Sequence, residues 1–133
     1  MSKKQDYLRA NQDFLTAKAQ EEGVKSLPGG ILYEVIEAGS GTACPTLRSI
    51  VCVHYRGTLI NGREFDNSFT RGYPEAFRLN EVIEGWQIAL SHMHAGDKWK
   101  IYIPAEKGYG ERSSGPIPGG STLIFEVALL SIG

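Results

Sequence analysis

The spacing of apolar residues first changes at the stretch LPGG, from Leu27 to Gly30. Before it, residues 3–22 contain neither Gly nor Pro and are rich in Ala, Gln, Lys and Glu, all favourable in helices. They predict one helix. Its apolar side is narrow, with Tyr7, Leu8, Phe14 and Leu15 among scattered alanines. Such a stripe makes no core alone, so the helix docks on the rest of the chain, pairs with another chain or stays partly exposed.

After the break the period becomes two. ILYEVIEAG (31–39) reads as a strand running into a Gly/Ser/Thr turn. IVCVHYRGTLI (50–60) puts Val51, Val53, Tyr55 and Leu59 on one face and Cys52, His54, Arg56 and Thr58 on the other. Asn61 and Gly62 follow, a strong two-residue hairpin signal because both tolerate positive φ. The chain therefore returns through REFDNS (63–68). On a regular strand Phe65 and Asp66 point to opposite faces, so a shared pocket requires a bulge or bend there.

PEAFRL (74–79) offers another short strand. Asn80 reads as an N-cap, with Glu81 and Glu84 near the positive end of a helix dipole. Val82, Ile83, Trp86, Leu90 and Met93 recur at helical spacing, and Gly96 fits the stop. DKWKIYIP (97–104) alternates, with Trp99, Ile101 and Ile103 on one side. A long Gly/Pro/Ser loop (105–120) carries a conspicuous Tyr109, and TLIFEVALLSI (122–132) closes the chain as a strand. Loops of this length in small domains are usually functional or disordered. The sum is an α+β class: a curved antiparallel β-sheet wrapped around one short α-helix, preceded by an N-terminal helix.

Composition narrows the function without choosing it. The 133 residues, 41% hydrophobic and 22% charged, describe one ordinary globular domain, and the net charge of −1 gives no case for nucleic acid or an anionic membrane. No apolar run approaches a membrane span, so no membrane partner is expected. The basic start MSKKQDYLRA has no apolar segment after it, which favours the cytoplasm if Met1 is the native start. A trimmed periplasmic or outer-membrane-associated protein reads the same way.

Candidate chemistry is sparse. Cys44 and Cys52 match no metal or redox spacing and read as unpaired thiols, with a disulfide as the alternative. There is no G-x-S-x-G. His92 and His94 face different directions at a helix end, and His54 falls on the outer sheet face, so no metal site is expected. GPIPGG lacks the lysine and helix of a phosphate loop. What remains is aromatics and one carboxylate near segment ends: Tyr55, Phe65, Asp66, Phe77, Trp86, Tyr109 and Phe125. Singly, each is more often core than contact surface. Tyr109 differs, because a large ring amid glycine and charge has no core to join unless its loop folds over something.

The motifs VHYRGTL (53–59), NGREFDNS (61–68), VIEGWQIAL (82–90) and KGYGERSSGPIPGGSTLIFEVALL (107–130) resemble, in this order, the FKBP family of peptidyl-prolyl cis-trans isomerases. The resemblance covers about residues 29–133 and implies the fold just described, with residues 1–28 as N-terminal helix and linker. It implies that Tyr55, Phe65, Asp66, Phe77, Val82, Ile83, Trp86, Tyr109, Ile117 and Phe125 line a proline pocket with Trp86 as floor. Tyr55, Asp66 and Tyr109 take the catalytic positions. Arg71 matches an arginine that pairs with the aspartate, the Ile83 N–H faces a substrate carbonyl, and residues 113–117 form a flap. One position departs: a family aromatic two residues before Phe77 is here Glu75.

The implied activity is rotation about X–Pro bonds in proline-containing peptides and unfolded protein clients, assisting folding, with no cofactor or metal. The macrolides tacrolimus and rapamycin are the implied inhibitors. The segment NQDFLTAKAQEEGVKSLPGGILYEVIEAG (11–39) is similar to the helix-to-domain junction of macrophage infectivity potentiator-like members, whose longer N-terminal region dimerises. With only the last helix present, a monomer or weak dimer is expected. The rival readings are a non-catalytic chaperone or proline-segment binding module, and a docking domain using helix 3–22 as a coiled-coil arm.

Overall fold

The structure is a computed structural model and describes residues 2–133. Helix α1 (Lys3–Lys18) starts at Ser2, whose side chain accepts from the Gln5 N–H while the Gln5 side chain accepts from the Ser2 N–H. It ends four residues before the position expected from sequence. Turn bonds from Gln20 to Ala17 and from Glu21 to Lys18 replace the helical ladder there, and Gly23 takes a positive φ.

Seven strands follow: β1 (Lys25–Leu27), β2 (Ile31–Glu37), β3 (Ile50–Thr58), β4 (Glu64–Asn67), β5 (Glu75–Arg78), β6 (Lys98–Ile103) and β7 (Leu123–Ile132). A short helix α2 (Ser68–Arg71) links β4 to β5, and helix α3 (Glu84–Leu90) links β5 to β6. The antiparallel sheet runs β1-β2-β6-β7-β3-β4, with β5 beside β4 along the same edge of β3. The stretch read as linker thus contains β1, which pairs with β2.

Two local expectations are corrected. Asn61 and Gly62 do not form a two-residue turn. Ile60, Asn61 and Gly62 make a three-residue loop in which only Gly62 has positive φ, and Leu59 N–H reaches Arg63 O at 2.9 Å. Asn61 contributes its side chain, which accepts from the Arg63 N–H. Nor is Asn80 an N-cap. Leu79–Glu81 is a 3₁₀ turn, and the cap of α3 is Ile83, with no side-chain bond. The backbone N–H groups of Leu79 and Asn80 are committed to Ser49 O and Leu47 O, which fixes this segment to the far end of β3 before the helix begins.

The concave face of the sheet closes on α3. Trp86, Ala89, Leu90 and Met93 pack against Val51, Val53, Ile101, Leu123 and Val127, all buried. On the convex face, Leu32, Tyr102 and Ile124 are covered by Phe14 and Leu15 of α1 together with Val24 and Ile60. The N-terminal helix docks on its own domain through this side and leaves most of its other residues exposed. Cys44 is exposed and Cys52 half-buried, and both are free. Among the described residues no helix is long and apolar enough to cross a membrane.

Candidate active site

The site begins with an irregularity in strand pairing. β3 and β4 align Gly57 with Asp66 but Thr58 with Glu64, so Phe65 is the extra residue of a β-bulge. The bulge brings both Phe65 and Asp66 to one cavity, as a shared pocket requires. Gly57 makes room opposite. A Cβ there would lie 2.6 Å from Phe65 Cζ and 2.8 Å from Phe125 Cε1. Bare backbone lets those two rings meet edge to face, 5.5 Å apart.

The cavity, about 530 Å³, is of small-ligand size. Its floor is Trp86, delivered by the first turns of α3, and Tyr55, Phe77 and Phe125 each meet it edge-on at 5.1, 5.7 and 5.2 Å. Val82, Ile83 and the unanticipated Glu81 form one rim, and Tyr109 with Ser114–Ile117 forms the other. Ser114 and Ile117 exchange two backbone bonds of 2.9 Å, which shapes the flap. Tyr109 remains 42% exposed, so its ring roofs the cavity without joining the core. Among the described residues the Ile83 N–H has no acceptor, and the buried Trp86 Nε1 has none either.

The polar edge is one connected group. Tyr55 Oη donates to Asp66 Oδ2 at 2.5 Å, Arg71 Nη1 donates to Asp66 Oδ1 at 2.5 Å, and the Asn67 N–H adds a bond of 2.9 Å. Burial alone would raise the Asp66 pKa, but the Tyr55 and Arg71 bonds outweigh it and hold the carboxyl below its ordinary value. Tyr55 moves the other way: burial first, then its bond to Asp66, push its hydroxyl up to about 12. At neutral pH the pair is therefore phenol and carboxylate. Arg71 lies outside the cavity lining, behind Asp66, and Glu75 accepts from its Nε at 3.2 Å. The carboxylate standing at the family's aromatic position thus shares the arginine with Asp66.

Sequence reading missed Ser68. β5 leaves β3 after Val53 and β4 joins at Arg56, so the strand edge is unpaired between them. The wholly buried Ser68 fills the gap: its Oγ accepts from the Tyr55 N–H at 2.7 Å and lies 2.8 Å from His54 Nδ1. No apolar pattern marks a serine of this kind. His54 stacks on Phe69, His92 Nδ1 lies against Ile88 O, and His94 faces Asp97, so the three histidines do not converge.

Residues 41–130, which carry most of this sheet and its aromatic pocket, match the family model of FKBP-type peptidyl-prolyl cis-trans isomerases. The chain belongs to that family. It is 44% identical over 124 residues to the FKBP-type isomerase FkpA of Aeromonas hydrophila, covering 93% of this chain and 46% of the relative. It is 42% identical over 133 residues to the outer membrane protein MIP of Legionella longbeachae, covering 98% and 57%. The crystal structure of a peptidyl-prolyl cis-trans isomerase from Pseudomonas syringae superposes with a TM-score of 0.91 at 34% identity, covering 100% of this chain and 98% of that one. The chain spans about half the length of the curated relatives it matches.

Proposed function

We propose that this chain catalyses cis-trans isomerisation of X–Pro bonds by holding the twisted amide in the aromatic cavity. The observation that carries the reading is the convergence of Tyr55, Phe77, Trp86 and Phe125 around one polar edge with an unused N–H at the rim. Rotation must cross a barrier of about 18–20 kcal/mol and takes tens of seconds unaided. No covalent bond is broken, so no nucleophile is required. The barrier is lost amide resonance, and the twisted amide is less charge-separated than the planar one. An apolar cavity therefore disfavours the planar ground state more than the transition state.

The roles follow from position. The proline ring sits on Trp86 between Phe77 and Phe125. The Ile83 N–H holds a carbonyl on one side of the rotating bond, and the Tyr109 hydroxyl holds the other end under the flap. Asp66 stays charged because the bonds from Arg71 and Tyr55 stabilise its carboxylate, and its field acts on the rotating carbonyl carbon. Arg71 supports the site without lining it. Residues 29–133 form the isomerase unit, and residues 1–28 are its N-terminal attachment. The clients are unfolded proteins and proline-containing peptides, and tacrolimus and rapamycin are candidate inhibitors.

An envelope location is supported by the name of the Legionella relative. The cytoplasmic expectation has no comparable support. The test is NMR exchange spectroscopy on a short peptide with an apolar residue before proline. Wild type should raise the interconversion rate, with Tyr109→Phe weaker. A folded protein that leaves the rate unchanged refutes the catalytic reading and leaves a proline-binding module.

A further inference from the structure

We propose that α1 is a strap for the pocket loop: Tyr7, Leu8 and Asn11 are positioning residues that grip the loop's neck from behind and set where the flap sits. The inference rests on the isomerase reading of the pocket. It starts from how the loop is closed. Gly110 N–H donates to Ala105 O, and Gly120 N–H donates to Gly110 O, each at 2.8 Å. A Cβ on Gly119 would stand 2.0 Å from Glu111 O, so the two limbs touch backbone to backbone. Everything outside this neck is a lobe carrying Ser114–Ile117, and Tyr109 lies one residue before it.

The C-terminal limb of the neck is held by α1. Asn11 is only 2% exposed, its Oδ1 accepts the Thr122 N–H at 2.7 Å, and its Nδ2 donates to Tyr7 O at 2.8 Å. Ser121 Oγ donates to Pro118 O at 2.6 Å, which leaves Tyr7 Oη as donor in the 2.6 Å bond to Ser121 Oγ. A chain of bonds thus runs from the helix into the lobe. Leu8 completes the grip, its Cδ2 lying 2.1 Å from where a Gly120 Cβ would be.

A helix that served only to cover Tyr102 and Ile124 would need Phe14 and Leu15 and no more. A buried Asn is costly unless both ends of its amide are used, and here both ends are used, one of them on the loop. The N-terminal limb is treated differently. A cavity of about 410 Å³ lies between α1 and the neck, lined by both limbs, yet among the described residues the N-terminal limb makes no hydrogen bond to the helix. One limb is bonded to the helix and the other is not, so α1 sets the range of flap motion without touching substrate. Loosening the strap raises the population of open flap and weakens peptide capture, while Trp86 and Asp66 keep their places.

The experiment compares wild type with Asn11→Ala, Tyr7→Phe and the control Phe14→Leu, which loosens the same helix against Tyr102 away from the loop. Amide hydrogen exchange over residues 111–117 should rise in the first two variants, and kcat/KM should fall about three- to ten-fold, carried by KM. Phe14→Leu should lower the thermal midpoint and leave loop exchange and KM unchanged. Unchanged loop exchange and KM in both strap variants, or an equal effect from Phe14→Leu, overturns the proposal. Tyr7→Phe removes one oxygen only and serves if Asn11→Ala does not fold. An inactive wild type sinks the isomerase reading, whereas the exchange measurement still decides the strap.

Discussion

Replacing Asp66 separates two ways in which its carboxylate can serve an apolar pocket. It can hold Tyr55 and Arg71 in place, or it can supply charge beside the rotating amide. Asp66→Ala removes the bonds from Tyr55, Arg71 and the Asn67 N–H together. A net ~1 kcal/mol per hydrogen bond is the starting figure. The side chains of Asp66 and Arg71 are 36% and 34% exposed, so water recovers part of the loss and the ion pair itself contributes at most about 1 kcal/mol. The cost is therefore about 1–2 kcal/mol, a fall of roughly 3–8 °C in thermal midpoint. The fold survives, and turnover can be read at 10 °C or a similarly low temperature for every variant.

Asp66→Asn is the discriminating change. The amide keeps the shape and an acceptor for Tyr55 Oη but removes the charge. If the field is what lowers the barrier, Asn and Ala should both lose about ten-fold or more in kcat/KM, equivalent to about 1.4 kcal/mol at the transition state. We expect that outcome, because Glu75 draws on the same Arg71 and leaves the cluster with net negative charge towards the pocket. The assay is protease-coupled cleavage or NMR exchange on one peptide, with circular dichroism confirming the fold. Wild-type turnover in Asp66→Asn with a loss in Asp66→Ala would refute the field argument and assign Asp66 to orienting Tyr55. Wild-type turnover in both would reduce it to a turn former.

Three further outcomes follow from the same geometry. Because the folded-state pKa of Asp66 is lowered, its contribution to stability is complete above the unfolded value of ~3.9 and is lost as pH falls through the folded value. The urea-midpoint difference between wild type and Asp66→Asn should hold from about pH 5 to 7 and shrink steadily below about pH 4; a difference independent of pH contradicts this. Gly57→Ala drives a methyl into Phe65 and Phe125 and should cost about 1–3 kcal/mol in thermal unfolding, with weaker peptide binding. An unaffected pocket would mean the bulge can yield. In a Trp99→Phe background, which removes the indole stacked on Tyr33, titration with a proline peptide should change the emission of Trp86. An unchanged spectrum at saturation would place the ligand elsewhere.

Strand existence was legible because the sheet buries each face differently, which leaves a period of two in residues 50–60 and 97–104. The pocket aromatics were legible because they recur at segment ends in a familiar order. Two boundaries were not. Asn80 carries the local chemistry of a helix cap, but its backbone N–H is bound to Leu47 O, a contact 33 residues back in the chain that no local pattern reveals. Asn61 and Gly62 signalled the turn but not its length, since the loop spends the side chain of Asn61 on Arg63. Ser68 and Asn11 left no trace at all: a buried polar side chain gives no periodicity, and its partners lie in other elements.

These misses are informative about where function sits. A regular β3–β4 ladder would send Phe65 and Asp66 to opposite faces, and a continuous edge on β3 would leave no place for Ser68 behind Tyr55. The pocket exists because the sheet is interrupted twice at one edge, once by a bulge and once by a gap. Each interruption is repaired by a specific group, Gly57 giving space to the bulged ring and Ser68 bonding the orphaned Tyr55 N–H. Local rules fail where the chain departs from regular structure, and here those departures carry the ring and the carboxylate that face the cavity. A change that restored regular pairing, such as deletion of Phe65, should therefore strengthen the ladder between β3 and β4 and open the cavity wall that the bulged ring supplies. Such a variant would be stable and inactive, whereas activity retained after the deletion would mean that the cavity does not depend on the bulge.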